Sequence, residues 1–263
     1  MAFYELLGIC VAYKKQPEVS NTTKKETKNG SWNECSENTE RAVIIEKNPE
    51  ALLQRVRLIK NAKKEIILST FAFQSDESGK LILGALHDAA DRGVHIRLLV
   101  DGMESWIDME GNPYFYGLSS HENVEIKLYN KANPLKPWKM MGRMHDKYLI
   151  ADGKRYILGG RNTYNYFLGD FPGHKNYDRD VLVVCDEPEK ENSVNQLLEY
   201  FETKMCIRDR YKGQAALDEN DSPIEGGYAG ISLAEYHYPK FHDTDDWETT
   251  DSQFRKTEFP ENK

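Results

Sequence analysis

The chain has 263 residues, a formal charge of −8 and 39 % hydrophobic residues. That composition supports a packed core and excludes a collagen or a wholly disordered chain. No run approaches the roughly 20 apolar residues of a membrane-spanning helix, and Cys10, Cys35, Cys185 and Cys206 lack the C-x-x-C spacing of a zinc ribbon or dense disulfide scaffold.

In chain order, residues 1–13 form a short apolar segment broken by Glu5, read as either the last turns of a membrane anchor or a helix packed on the core. Residues 14–41 are rich in Lys, Glu, Asn, Ser and Thr and read as a polar linker. Order is expected from residue 42. AVIIE at 42–46 predicts a strand, and Asn48 is expected to cap a helix with Pro49 in its first turn. EIILSTFAF at 65–73 predicts a second strand. Ser78 is expected to open a helix whose apolar face carries Leu81, Leu83, Ala85, Leu86, Ala89 and Ala90, ended by Gly93. Strands follow at 95–102 and 124–130, then a hairpin turning at Asp152-Gly153, a strand at 180–184 and a helix at 193–201. Alternating strands and helices at this spacing predict an α/β fold, a sheet layered with helices.

The chemistry concentrates in Arg143-Met-His145-Asp-Lys147, Asp152, Gly159-Gly160-Arg161-Asn162 and Asp178-Arg179-Asp180. On a strand, side chains two apart share a face, which puts His145 beside Lys147. An imidazole next to an ammonium is a receptor for phosphate: Lys147 supplies fixed positive charge, and His145 a nitrogen that attacks phosphorus or delivers a proton. Gly159 and Gly160 would let backbone approach the ligand, and Asn162 would donate to a phosphoryl oxygen. Asp180 is a candidate to accept from the second nitrogen of His145 and set its tautomer.

H-x-K-x-x-x-x-D followed by G-G-x-N resembles the phospholipase D superfamily, the HKD phosphodiesterases. The run RMHDKYLIADGKRYILGGRNTYNYF is most similar to its bacterial cardiolipin-synthase-like branch. The resemblance implies a phospholipase D-like mixed sheet flanked by helices and a two-step reaction through a phosphohistidine, with no metal or cofactor. His145, Lys147 and Asn162 match catalytic or phosphate-contacting positions, Asp152 matches an aspartate that braces the loop, and Asp180 matches the position that orients the histidine. It also implies a phospholipid substrate and association with a membrane surface, on a side the sequence does not give; nucleic acid is the less favoured partner.

The superfamily needs two motifs, and this chain carries one. His87, His95, His121, His174, His237 and His242 all lack a lysine two residues on. The expectation is therefore half an active site, completed by a missing half or by a homodimer partner. The rivals are a homodimeric endonuclease, disfavoured because residues 1–210 carry a net charge of only −1, and a catalytically incompetent half. MCIRDR at 205–210 interrupts an amphipathic helix. Back-translated, it reads as the end of a transposon-based sequencing adapter and hence as a suspected library artefact, the alternative being an ordinary helix end with two arginines near its last turn. Residues 211–263, with five Lys/Arg against twelve Asp/Glu, then form an acidic, poorly ordered tail of uncertain continuity, and the abrupt start at Met1 fits a fragment. Tyr164, Tyr166, Phe167 and Phe171 are expected as core beneath the site. Lys127, Lys131, Lys136, Lys139 and Arg143, with Trp138 among them, read as either a landing strip for anionic groups or a solvated loop.

Overall fold

The computed structural model describes residues 40–131, 142–190 and 192–205, with three two-residue strands beyond. Residues 1–39 and most of 211–263, which carry the apolar segment, most of the linker and most of the tail, lie outside the described residues.

In chain order the elements are β1 (Glu40–Ile45), α1 (Asn48–Asn61), β2 (Glu65–Thr70), α2 (Glu77–Asp91), β3 (His95–Asp101), α3 (Gly102–Asp108), α4 (Pro113–Ser120), β4 (Val124–Tyr129), β5 (Tyr148–Ala151), β6 (Arg155–Gly159), β7 (Asp180–Cys185) and α5 (Ser193–Met205). Short strands β8 (Asp209–Arg210), β9 (Gly227–Tyr228) and β10 (Ile231–Ser232) follow. One sheet runs β1-β7-β6-β5-β2-β3-β4-β8. β2, β3 and β4 are parallel, joined by helical crossovers, while β5, β6, β7 and β1 continue the sheet antiparallel. The expected mixed sheet flanked by helices is the observed fold.

The period-two alternation of each strand divides the core. Ile66, Leu68, Ile96, Leu98, Leu149, Ile157 and Leu182 point to one face, where they pack with Leu52, Val56 and Ile59 of α1, Leu83 and Leu86 of α2 and Phe115 of α4. Ile67, Leu99, Ile150, Tyr156 and Val183 point to the other, where Val194 and Phe201 of α5 cover them. At the hairpin, Asp152 (φ 55°) and Gly153 (φ 63°) both take the left-handed conformation that an Asp-Gly turn favours.

Several local expectations change. Lys47, not Asn48, is the N-cap of α1; Asn48 is buried and its amide donates to the Asn176 carbonyl (2.9 Å). Asp76, not Ser78, caps α2, its carboxylate accepting from the Gly79 N–H (3.0 Å). Helices α3 and α4 lie in a stretch for which no element was expected. The last helix reaches Met205, the first residue of the suspected insert, and Asp209 and Arg210 pair with Leu128 and Lys127 at the sheet edge.

Candidate active site

The register gathers the motif at one end of the sheet. Ser69 of β2 lies opposite Tyr148, Tyr148 opposite Leu158, and Gly159 opposite Asp180. The exit of parallel strand β2, the entry to β5, the exit of β6 and the entry to β7 therefore meet there, beside the carboxyl end of β3. In open α/β sheets this end is where ligands bind.

His145 and Lys147 precede β5 in an irregular segment rather than lying on a strand, yet their side chains meet. Lys147 is buried; its ammonium donates to His145 Nδ1 (3.1 Å) and to the His145 carbonyl (2.8 Å). Among the described residues no carboxylate lies within ion-pair distance of Lys147. Burial pushes the Lys147 ammonium below its ordinary pKa, against the pull of Asp146 and Asp178. His145 is also held low, first by desolvation, then by the positive charges of Lys147 and Arg143, with Asp146 and Asp101 opposing. The ring is thus kept neutral at pH values where a free histidine begins to protonate, as a nucleophile requires. With Lys147 donating to Nδ1, the ring proton sits on Nε2.

Phe71, at the exit of β2, forms the wall. Its ring stands 4.6 Å from the imidazole, with the Arg143 guanidinium at 4.9 Å and the Lys147 ammonium at 5.4 Å. Three cationic or ionisable groups thus surround one aromatic ring, and its quadrupole favours the two cations placed over it. Asp101, 1 % exposed at the exit of β3, fixes the segment leading into His145. It accepts from the Met103 N–H (3.0 Å) at the start of α3, from Arg143 Nε (2.8 Å) and from the Met144 N–H (2.9 Å).

Asn162 is brought to the same end. Its amide oxygen accepts from the Ala72 N–H (3.3 Å), which leaves the NH2 group as its donor. Gly159 and Gly160 are there too, but the space beside them is filled by protein. A Cβ on Gly159 would stand 2.0 Å from Asp180 Oδ1, and one on Gly160 2.0 Å from Asp178 Oδ2. Their lack of a side chain admits these two carboxylates.

Two expected residues stand elsewhere. Asp180 makes no hydrogen bond to His145. It is 2 % exposed and its Oδ2 is shared by Arg55 (2.9 Å) and Arg161 (3.2 Å). Arg161 is 1 % exposed and donates to Asn48 and to the carbonyls of Ile45 and Glu46. Two buried guanidiniums compete for Asp180, so the carboxylate neutralises them instead of reaching the imidazole. Asp152 lies at the far end of β5, where it accepts from the backbone N–H groups of Lys63 (2.9 Å), Lys64 (2.7 Å) and Glu65 (3.1 Å). It joins the β5–β6 turn to the start of β2 and stands apart from the reacting groups.

Sequence reading missed Phe71 and Asp101, although a carboxylate followed by glycine at the end of a parallel strand is a readable signal for the latter. It noted Asp178 without a role; the structure puts that carboxylate against Gly160 and within electrostatic reach of Lys147. Phe167 and Phe171 pack against the core as expected, while Tyr166 is 44 % exposed. Lys136, Trp138 and Lys139 lie outside the described residues. A cation could be held by His87, Asp88 and Asp91, whose ligand atoms lie within 4.8 Å of one another, but they sit at the opposite end of the sheet.

The family described as cardiolipin synthase, PLD-like domain, matches residues 55–205. The chain is 34 % identical over 141 residues to an uncharacterized protein of Helicobacter pylori strain 26695, covering 49 % of this chain and 28 % of that one. It is 29 % identical over 174 residues to Cardiolipin synthase C of Escherichia coli K12, covering 61 % of this chain and 35 % of that one. The chain thus spans about a third of the length of these relatives. Among solved structures, phosphatidylserine synthase of Haemophilus influenzae Rd KW20 superposes with a TM-score of 0.52 at 18 % identity, covering 69 % of this chain and 40 % of that one, a likeness of fold.

Proposed function

The chain belongs to the PLD-like domain family of the cardiolipin synthases, and from that premise we propose that it is one motif-bearing half of a phosphodiesterase or phosphatidyltransferase acting on phospholipids. The observation that carries this reading is the His145–Lys147 pair: a neutral imidazole 3.1 Å from a buried ammonium that no carboxylate among the described residues neutralises. Such a pair attracts a phosphodiester and offers it a nucleophile.

In the proposed reaction, phosphoryl oxygens take the N–H donors of Lys147 and the amide NH2 of Asn162. This releases Nδ1 of His145, so the ring proton can move there and Nε2 is freed. Nε2 attacks phosphorus, a P–N bond forms, and the bond to the departing alcohol breaks. The alcohol takes its proton from a second histidine, supplied by a second copy of the chain or by a further segment carrying the other motif. That histidine then deprotonates water or an incoming alcohol, which attacks phosphorus and breaks the P–N bond. With phosphatidylglycerol as both donor and acceptor, the product is cardiolipin and glycerol leaves. Membrane association is part of the same proposal; no helix among the described residues is long and apolar enough to cross a membrane.

The test is incubation with phosphatidylglycerol vesicles, followed by mass spectrometry of lipids and of a digest denatured and kept at neutral to mildly alkaline pH, where a P–N bond survives. Cardiolipin or phosphatidate, with a phosphatidyl adduct on the His145 peptide, is the expected result. Nicking of plasmid DNA with the vesicles untouched would replace this reading by a nuclease. A monomer inert toward every phosphodiester would replace it by an incompetent half.

A further inference from the structure

At the end of the sheet away from His145, a cavity of about 350 Å³ opens between the end of α1, the start of β2 and the β5–β6 turn. It is lined by Asn61, Lys63, Lys64, Asp152, Lys154 and Arg155. Four cationic side chains thus surround one carboxylate, on a chain whose overall charge is −8. The carboxylate is already occupied: Asp152 accepts from three backbone N–H groups. Lys63, Lys64 and Lys154 are exposed and, among the described residues, make no side-chain ion pair. Glu65 turns instead to Arg97 (3.4 Å) and His95 (3.6 Å). Even the carbonyls at the end of α1, the negative end of the helix, are engaged, with Ile59 and Lys60 accepting from Arg92 and Arg57 from Asn61.

A concave surface whose negative groups are satisfied and whose lysines lack partners is an anion receptor. We propose that this cavity binds a small phosphorylated anion, either a soluble phosphate compound or the headgroup of an anionic lipid, at a site separate from the catalytic corner. Lys147 and Asp152 are five residues apart along β5, roughly 17 Å at strand spacing, so one molecule of headgroup size does not reach both. The volume lies at the lower end of the range of small-ligand pockets. The inference is independent of the reaction assigned to His145.

The experiment uses the full chain carrying His145→Ala and Lys147→Ala, so that the catalytic corner contributes little, titrated with inorganic pyrophosphate by calorimetry. Adding Lys63→Ala, Lys64→Ala and Lys154→Ala should weaken binding at least about tenfold. Arginine at the three positions should restore it, and raised salt should weaken it in the parent alone. All three side chains are exposed, and an unchanged thermal midpoint checks the fold. Flotation with phosphatidylcholine vesicles, with and without phosphatidylglycerol, distinguishes the sources. Loss of both vesicle and pyrophosphate binding identifies a lipid headgroup, and loss of pyrophosphate binding alone identifies a soluble phosphate. Pyrophosphate binding unchanged by the three substitutions overturns the proposal, and loss of duplex DNA binding alone would replace it with a nucleic-acid surface.

Discussion

Two charged groups lie at the same end of the sheet and are built on opposite principles. In the knot of Arg55, Asp180, Arg161 and Asn48, every member is at least 95 % buried, and the guanidiniums reach backbone carbonyls as well as Asp180. In the corner of His145 and Lys147, the ammonium is equally buried but, among the described residues, hydrogen-bonds to the imidazole and one carbonyl and to no carboxylate, and His145 is exposed. Burying a charge is costly unless it is paired and hydrogen-bonded. The knot meets that requirement within the protein. The corner leaves it partly unmet, and a phosphate supplies what is missing. The difference separates charge that holds the fold from charge kept for a ligand, although both contain a basic side chain from the G-G-R-N or H-x-K run.

The contrast is broken most sharply by exchanging the damage. His145→Ala should lower phosphodiester turnover by at least about a thousandfold while leaving the thermal midpoint nearly unchanged; turnover within a few-fold of wild type sinks the role given to this residue. Asp180→Ala should do the reverse and destabilise the fold by about 3–5 kcal/mol, because two buried guanidiniums lose their carboxylate; denaturant titration measures it, and a midpoint shift worth under 1 kcal/mol would deny the knot its structural role. Asp152→Ala, at the far end of β5, should cost about 1–3 kcal/mol as three backbone N–H groups lose their acceptor, with kcat per folded molecule preserved. The smallest effect sharpens the corner itself. Since neutral His145 is the reactive form and its pKa is lowered, the acidic limb of kcat/KM should lie below pH 6.5. Phe71→Leu opens the wall that desolvates the ring, so the limb should move upward by a fraction of a unit; a downward move would contradict the assigned cause.

The elements that sequence reading finds are those whose signal is local. β2 and β3 announce themselves as β-branched and aliphatic runs, α2 by its stripe at helical spacing, and the hairpin by Asp152-Gly153. α3 escapes because GMESWID has no buried stripe: Trp106 and Ile107 are 63 % and 66 % exposed, and the helix is started by Asp101, a residue committed to the segment before His145. α4 could have been found, since Asn112-Pro113 is a readable start, and the Asn112 side chain does accept from the Tyr114 N–H. His145 and Lys147 do meet, but in the irregular segment before β5 and not through the strand alternation from which their pairing was expected. The partner of Asp180 does not follow from spacing, because Arg55 lies 125 residues away and no short-range rule connects them. Arg161 is opaque for the same reason: its acceptors at Ile45 and Glu46 precede it by 116 and 115 residues.

The pairing of β1 with β7, Glu40 against Cys185 and Ile45 against Asp180, sets a timetable for a growing chain. β1 leaves the ribosome before its partner, which is made some 140 residues later, on the order of 10–30 s at ordinary rates of synthesis. Until then Ile45, buried in the folded protein, has no sheet edge to receive it, and the buried arginines lack Asp180. The parallel core of β2, β3 and β4 can assemble in that interval. β1, although made before its partner, is then among the last strands to dock, which exposes it to mispairing between nascent chains.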